Sequence, residues 1–194
     1  MTERTRTDDH AHHRGPGTGC WTLPKWQSWA SDPEGSSLLK EEALKQLAWA
    51  HDPRGVDAAI AALASPEEKL RAQAATALAE YGLPDAEKAR GPLLAALKEA
   101  KPESKPQIAW ALVVLHEPEA FDEVMHLYRL GHLSQVKRLD GALAFNPYKI
   151  VELVSLDKFA ELHADESPSV RQLVATVLSR NPSLPPVEVR RIIT

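Results

Sequence analysis

From residue 38 onward the apolar positions recur at helical spacing, three or four residues apart, and no segment keeps the alternation of a strand. The clearest case is 65–82. Leu70, Ala74, Ala77, Leu78 and Tyr81 fall on one face, and most of that face is alanine, which suits close helix–helix packing. Ser65 stands at an N-cap, Pro66 at the first helical position, and Glu68 three residues on predicts a capping box. Gly82 is a natural stop. The same periodicity predicts helices over about 38–50, 56–64, 85–100, 105–116, 117–130, 134–145, 147–153, 156–164, 167–180 and 187–193. Leu44, Leu47 and Trp49 supply bulk in the first of these, and Gly91-Pro92 predicts a bend inside 85–100. The β-branched pairs Val113-Val114 and Ile150-Val151 lie within helical patterns, so no strand is expected and the fold class is all-α.

The helix ends repeat. Leu47, Leu78, Leu112, Leu143 and Leu178 each precede a break of the type His-Asp-Pro, Gly-Leu-Pro, His-Glu-Pro or Asn-Pro, and they stand 31, 34, 31 and 35 residues apart. Two helices per period of that length predict an α-solenoid.

Lys69-Leu70-Arg71-Ala72-Gln73-Ala74-Ala75-Thr76-Ala77-Leu78-Ala79 resembles the second helix of a HEAT-like repeat of the phycobilisome-lyase type. Val170-Arg171-Gln172-Leu173-Val174-Ala175-Thr176-Val177-Leu178 is similar, and Asp57–Leu63 is similar to a first helix. The copies at 105–116 and 134–145 are looser, with Asp140-Gly141 where an alanine pair is expected. The resemblance covers about residues 38–182. It implies a HEAT-like α-solenoid of about four to five helix pairs, with bent first helices and second helices lining the concave side.

Ahead of this array, residues 1–20 hold almost nothing to bury and read as a flexible arm. Residues 21–37 carry Trp21, Trp26 and Trp29, and read as a cap over the first repeat, with an aromatic patch for a partner as the alternative. The array occupies 38–194. A formal charge of −4 gives no reason to expect nucleic acid or an anionic membrane as partner. The single cysteine, Cys20, fits a reducing compartment, so a cytoplasmic location is expected, and no apolar run reaches the length of a membrane span.

Candidate chemistry is sparse. His10, His12 and His13 are metal ligands by type but lack a Cys or acid at fixed helical spacing. His116-Glu117 is a single pair, where the two-iron centre of the HEAT-like deoxyhypusine hydroxylases would need a set. No nucleophile motif, phosphate loop or carboxylate pair is present, so no catalytic residue, metal or cofactor is expected. The cations Lys69, Arg71, Lys105, Lys137, Arg138 and Arg171 lie near successive second-helix starts. They read either as a ladder pairing with loop acids such as Asp52, Glu67 and Asp165, or as a row orienting an acidic partner. Lys69, Gln73, Thr76, Gln107, Gln172 and Thr176 are the polar positions of those helices. The expected function is a non-catalytic protein-binding scaffold using these residues, with Trp21, Trp26 and Trp29 as a second contact region. A nucleic-acid binder or glycosylase-like enzyme using Trp110 and Asp140, and a bilin lyase-like protein, are the alternatives. As a surface group, Arg71 is expected to contribute about 1 kcal/mol or less, and its reversal with Arg171 to leave stability unchanged.

Overall fold

The computed structural model describes residues 13–14, 20–131, 155–180 and 186–193. Among them are ten α-helices: α1 (Leu23–Ser31), α2 (Ser37–Trp49), α3 (Arg54–Ala62), α4 (Glu68–Tyr81), α5 (Arg90–Glu99), α6 (Lys105–Val114), α7 (Ala120–Arg129), α8 (Leu156–His163), α9 (Pro168–Arg180) and α10 (Pro186–Ile193). The helices expected over 134–145 and 147–153 lie outside the described residues, as do His10, His12, His132, Lys137, Arg138 and Asp140 and the side chains of His13, Cys20 and Trp21. One expectation is corrected at the start of the chain. His13–Arg14 and Cys20–Trp21 pair as a two-residue antiparallel bridge, His13 opposite Trp21 and Arg14 opposite Cys20. Such a bridge needs only main-chain donors and acceptors, so no apolar alternation announces it.

Alternate helices lie side by side. α2 packs on α4 and α4 on α6, while α3 lies against α2 and α4, and α5 and α7 against α6. α9 meets α7 and α8, and α10 meets α8. Alanine makes this possible. Ala74, Ala75, Ala77 and Ala79 of α4 are all buried, beside Leu70, Leu78 and Tyr81, so neighbouring helices approach closely on more than one side. α6 is enclosed further, with every residue from Ile108 to Val113 buried, which is why it reads as apolar all round.

α1 closes on α2 and α3. Trp26 is 5% exposed and sits in the core. Trp29 meets it edge to face at 5.1 Å, and Lys25 Nζ stands 5.1 Å from the Trp29 ring. Trp26 is thus not presented to solvent.

Three details differ from the sequence reading. α4 begins at Glu68, because Glu67 is extended (φ −87°, ψ 115°) and no side chain caps the helix. The Ser65 hydroxyl accepts from the Glu67 N–H (3.2 Å) inside the loop instead. Residues 87–89 form a 3₁₀ turn and α5 opens at Arg90, so Pro92 sits in a first turn where no backbone hydrogen bond is lost. Trp49 is 58% exposed rather than core.

Three of the leucine-marked helix ends share a backbone conformation. Four residues after Leu47, Leu78 and Leu112 stand His51 (φ 48°), Gly82 (φ 61°) and His116 (φ 58°). At the two histidines the closing bonds are the same: Asp52 N to Leu47 O (3.0 Å) with His51 N to Ala48 O (2.9 Å), and Glu117 N to Leu112 O (2.9 Å) with His116 N to Val113 O (3.0 Å). These are Schellman closures, which favour glycine at the left-handed position. Replacing His51 or His116 by glycine is therefore expected to raise stability by about 0.5–1 kcal/mol each, and valine to lower it by more than that, in urea melts. Leu78→Asp, at a position with no exposure, is expected to cost several kcal/mol and to abolish the cooperative melt.

Candidate interaction surface

The loops entering α2, α4 and α9 share one construction. In each, a side-chain oxygen accepts the N–H two residues on: Asp32 from Glu34 (3.1 Å), Ser65 from Glu67 (3.2 Å) and Asp165 from Ser167 (2.9 Å). A cation from the following helix then grips a loop carbonyl. Lys40 Nζ donates to Pro33 O (3.1 Å), Arg71 Nη1 to Ser65 O (2.6 Å), and Arg171 Nη1 to Asp165 O (2.7 Å) and Glu166 O (2.8 Å). Lys40 was not singled out in the sequence, yet it stands 31 residues before Arg71, the spacing of Leu47 and Leu78.

Arg71 is more deeply set than a surface reading allows, with 16% of its side chain exposed, and it forms an ion pair with Glu68. Glu68 also accepts from the buried Ser104 hydroxyl (2.6 Å) and faces Lys101 Nζ at 3.8 Å. The residue expected to close a capping box thus ties the start of α4 to the start of α6. The other cations pair as well, though not always with the loop acids expected. Lys69 meets Glu41 of α2 (3.0 Å) and Lys105 meets Glu123 of α7 (3.0 Å). The cations fasten neighbouring helices and loops; Lys137 and Arg138 lie outside the described residues.

Asp52 closes the loop after α2. Its carboxylate accepts from Arg54 N (3.0 Å), Nε (2.8 Å) and Nη2 (2.5 Å), while its carbonyl accepts from the Tyr81 hydroxyl (2.8 Å). A Cβ on Gly55 would fall 2.1 Å from that hydroxyl oxygen, so glycine is required for the approach. The Arg54 hydrogen bonds hold the Asp52 carboxyl below its usual range against burial, and the Arg129 hydrogen bonds do the same for Asp165. Glu80 is the reverse: burial pushes its carboxyl up, only partly offset by His51.

The polar face itself is clearest on α4. Lys69, Gln73, Thr76 and Glu80 follow one another at steps of four, three and four, and none is buried. Beside it on α2 run Leu38, Glu42, Lys45 and Trp49, joined to α4 by the Glu41–Lys69 pair. Gln107 is half-buried, and its amide nitrogen, turned toward the α6 entry, reaches Ser104 O (3.1 Å) and Glu103 O (3.2 Å). On α9, Gln172 is exposed, whereas Thr176 is half-buried and donates to Gln172 O (2.8 Å). The positions do not make one uniform stripe, because Leu173 is buried where α4 has Gln73. Trp110 is buried in α6 and is not placed to stack on a base. Among the described residues no three His, Cys, Asp or Glu side chains gather as a metal site, and no helix is long and apolar enough to cross a membrane. An open groove lies against Arg129, Asp165, Glu166, Ser167 and Pro168. Leu38 and Trp49 are the exposed residues sequence reasoning missed, and Glu41 the partner it did not assign to Lys69. The four-three-four spacing on α2 was the available signal for Leu38 and Trp49.

Two outcomes follow. Arg71→Ala is expected to cost about 1–3 kcal/mol, because it strips a charge-assisted bond from a loop carbonyl and leaves Glu68 short of a partner. The more exposed Arg171→Ala should cost less, and urea melts of both variants check the order. The depressed Asp52 carboxyl contributes stability that is complete above the ordinary aspartate value of about 4 and is lost as pH falls through its lower folded value. The stability gap between wild type and Asp52→Asn should therefore narrow below about pH 4. A gap independent of pH would show that the lost charge is not what the substitution costs.

No protein-family model matches the chain, and none of the curated proteins matches its sequence.

Proposed function

We propose that the chain is a HEAT-like α-solenoid acting as a non-catalytic, protein-binding scaffold. What supports the repeat is the recurrence of a left-handed helix end at His51, Gly82 and His116, four residues after the repeated leucines, together with the side-by-side packing of α2, α4 and α6. Stacked helix pairs present extended surfaces with few reactive groups. The single observation that carries the binding role is the α4 face of Lys69, Gln73 and Thr76, where Lys69 is exposed and Gln73 and Thr76 are half-buried, leaving medium-sized groups of mixed polarity partly accessible beside a buried alanine face. Such a face suits hydrogen-bonded contact with another protein better than a phosphate track, and the net charge of −4 points the same way. Arg71 serves the fold in this reading. Lys69, Gln73 and Thr76 serve the partner, with Gln172 and Arg171 on α9 as further contacts. The absence of a disulfide framework suits a cytoplasmic setting.

The test is capture from lysate by the full chain and by Gln73→Arg/Thr76→Arg. Proteins retained by wild type should be lost on the double variant, whose melting temperature should stay within about 4 °C of wild type. Unchanged capture would move the site off α4. Binding of a labelled DNA duplex that falls steeply with salt would instead favour a nucleic-acid role.

A further inference from the structure

The α2 face reads the same in both directions. Leu38, Glu42, Lys45 and Trp49 stand at i, i+4, i+7 and i+11, the spacing of a helix–helix seam. The midpoint of Leu38 and Trp49 is also the midpoint of Glu42 and Lys45. Laid antiparallel against its own copy, α2 would bring Leu38 to the second copy's Trp49 at each end. Glu42 would meet Lys45 of the second copy, twice, in the middle. Leu38 is 67% and Trp49 58% exposed, about 16 Å apart along the helix. Lys45 Nζ reaches Glu42 Oε2 of its own chain at only 3.9 Å and keeps 48% of its side chain exposed, so it is free to exchange partners.

We propose that this face is an isologous contact between two copies of the chain, with α2 packed antiparallel on α2 about a two-fold axis between Ala43 and Leu44. Several features support a second copy over another partner. The apolar ends match each other in the antiparallel sense, and the charges are complementary only in that sense: a parallel pairing would set Glu42 against Glu42 and Lys45 against Lys45. One helix seam buries less than a permanent dimer does, so the association is weak and concentration-dependent. It is independent of the partner-binding reading, which rests on α4.

Sedimentation velocity on the full chain from about 1 to 500 μM should show reversible dimer formation. Two-fold symmetry enters each substitution twice. Glu42→Lys alone and Lys45→Glu alone should each weaken the dimer by at least about tenfold through like charges, while Glu42→Lys/Lys45→Glu restores it. Trp49→Arg should abolish it. Far-UV circular dichroism and melting temperature report whether each variant is folded. Lys45 and Trp49 are exposed, so both measurements should hold for their variants; Glu42 is half-buried and accepts from the buried Gln46 Nε2 (2.7 Å), so the Glu42 variants should stay folded but melt at a lower temperature. A wild-type chain that stays monomeric across the range overturns the proposal. So does a dimer that ignores Trp49→Arg, or one the double reversal fails to restore.

Discussion

The close approach of α2, α4 and α6 is the constraint on which the rest of the structure depends. It is set by alanine on α4 and by the enclosed run Ile108–Val113 on α6. Larger side chains at Ala74, Ala75, Ala77 or Ala79 would push the neighbouring helices apart at cost, since protein interiors have no slack for added volume. Once the helices are this near, their ends must be fastened by short-range polar contacts. Glu68 to Ser104, Tyr81 to the Asp52 carbonyl and Lys69 to Glu41 each bridge from one helical unit to the next. Gly55 belongs to the same constraint, because only a residue without Cβ lets Tyr81 reach that carbonyl.

Several cations of the described residues fasten loops and helices. Lys40, Arg71 and Arg171 turn toward loop carbonyls, and Lys105 toward α7. A cation near a helix start in this chain is thus chiefly an architectural group, and the accessible surface is left to residues of modest polarity on α4 and to the apolar-and-charged seam of α2. Recognition on such a surface works through shape and hydrogen bonding rather than through a strong field. The two faces lie side by side, so a copy of the chain on α2 would sit next to whatever α4 holds.

The sequence by itself determined which segments are helical and where they end. Apolar spacing, the Pro residues at 24, 53 and 168, and the glycine or histidine four residues after Leu47, Leu78 and Leu112 are local properties, fixed by backbone sterics and side-chain periodicity. The helices from α2 to α9 therefore fall where periodicity places them, within a few residues. Only the tertiary structure decided what the polar groups of those helices do. Glu68 is drawn from a capping box to Ser104 of the next unit, Arg71 from solvent to a carbonyl, Trp26 into the core and Trp49 out of it. Glu68 meets a group 36 residues on and Tyr81 one 29 residues back, across helix interfaces, while Arg71 turns to a loop carbonyl six residues away that the fold brings beside it. Periodicity along a single helix gives the direction of a side chain but not the group that waits there, and burial and charge are settled by that group.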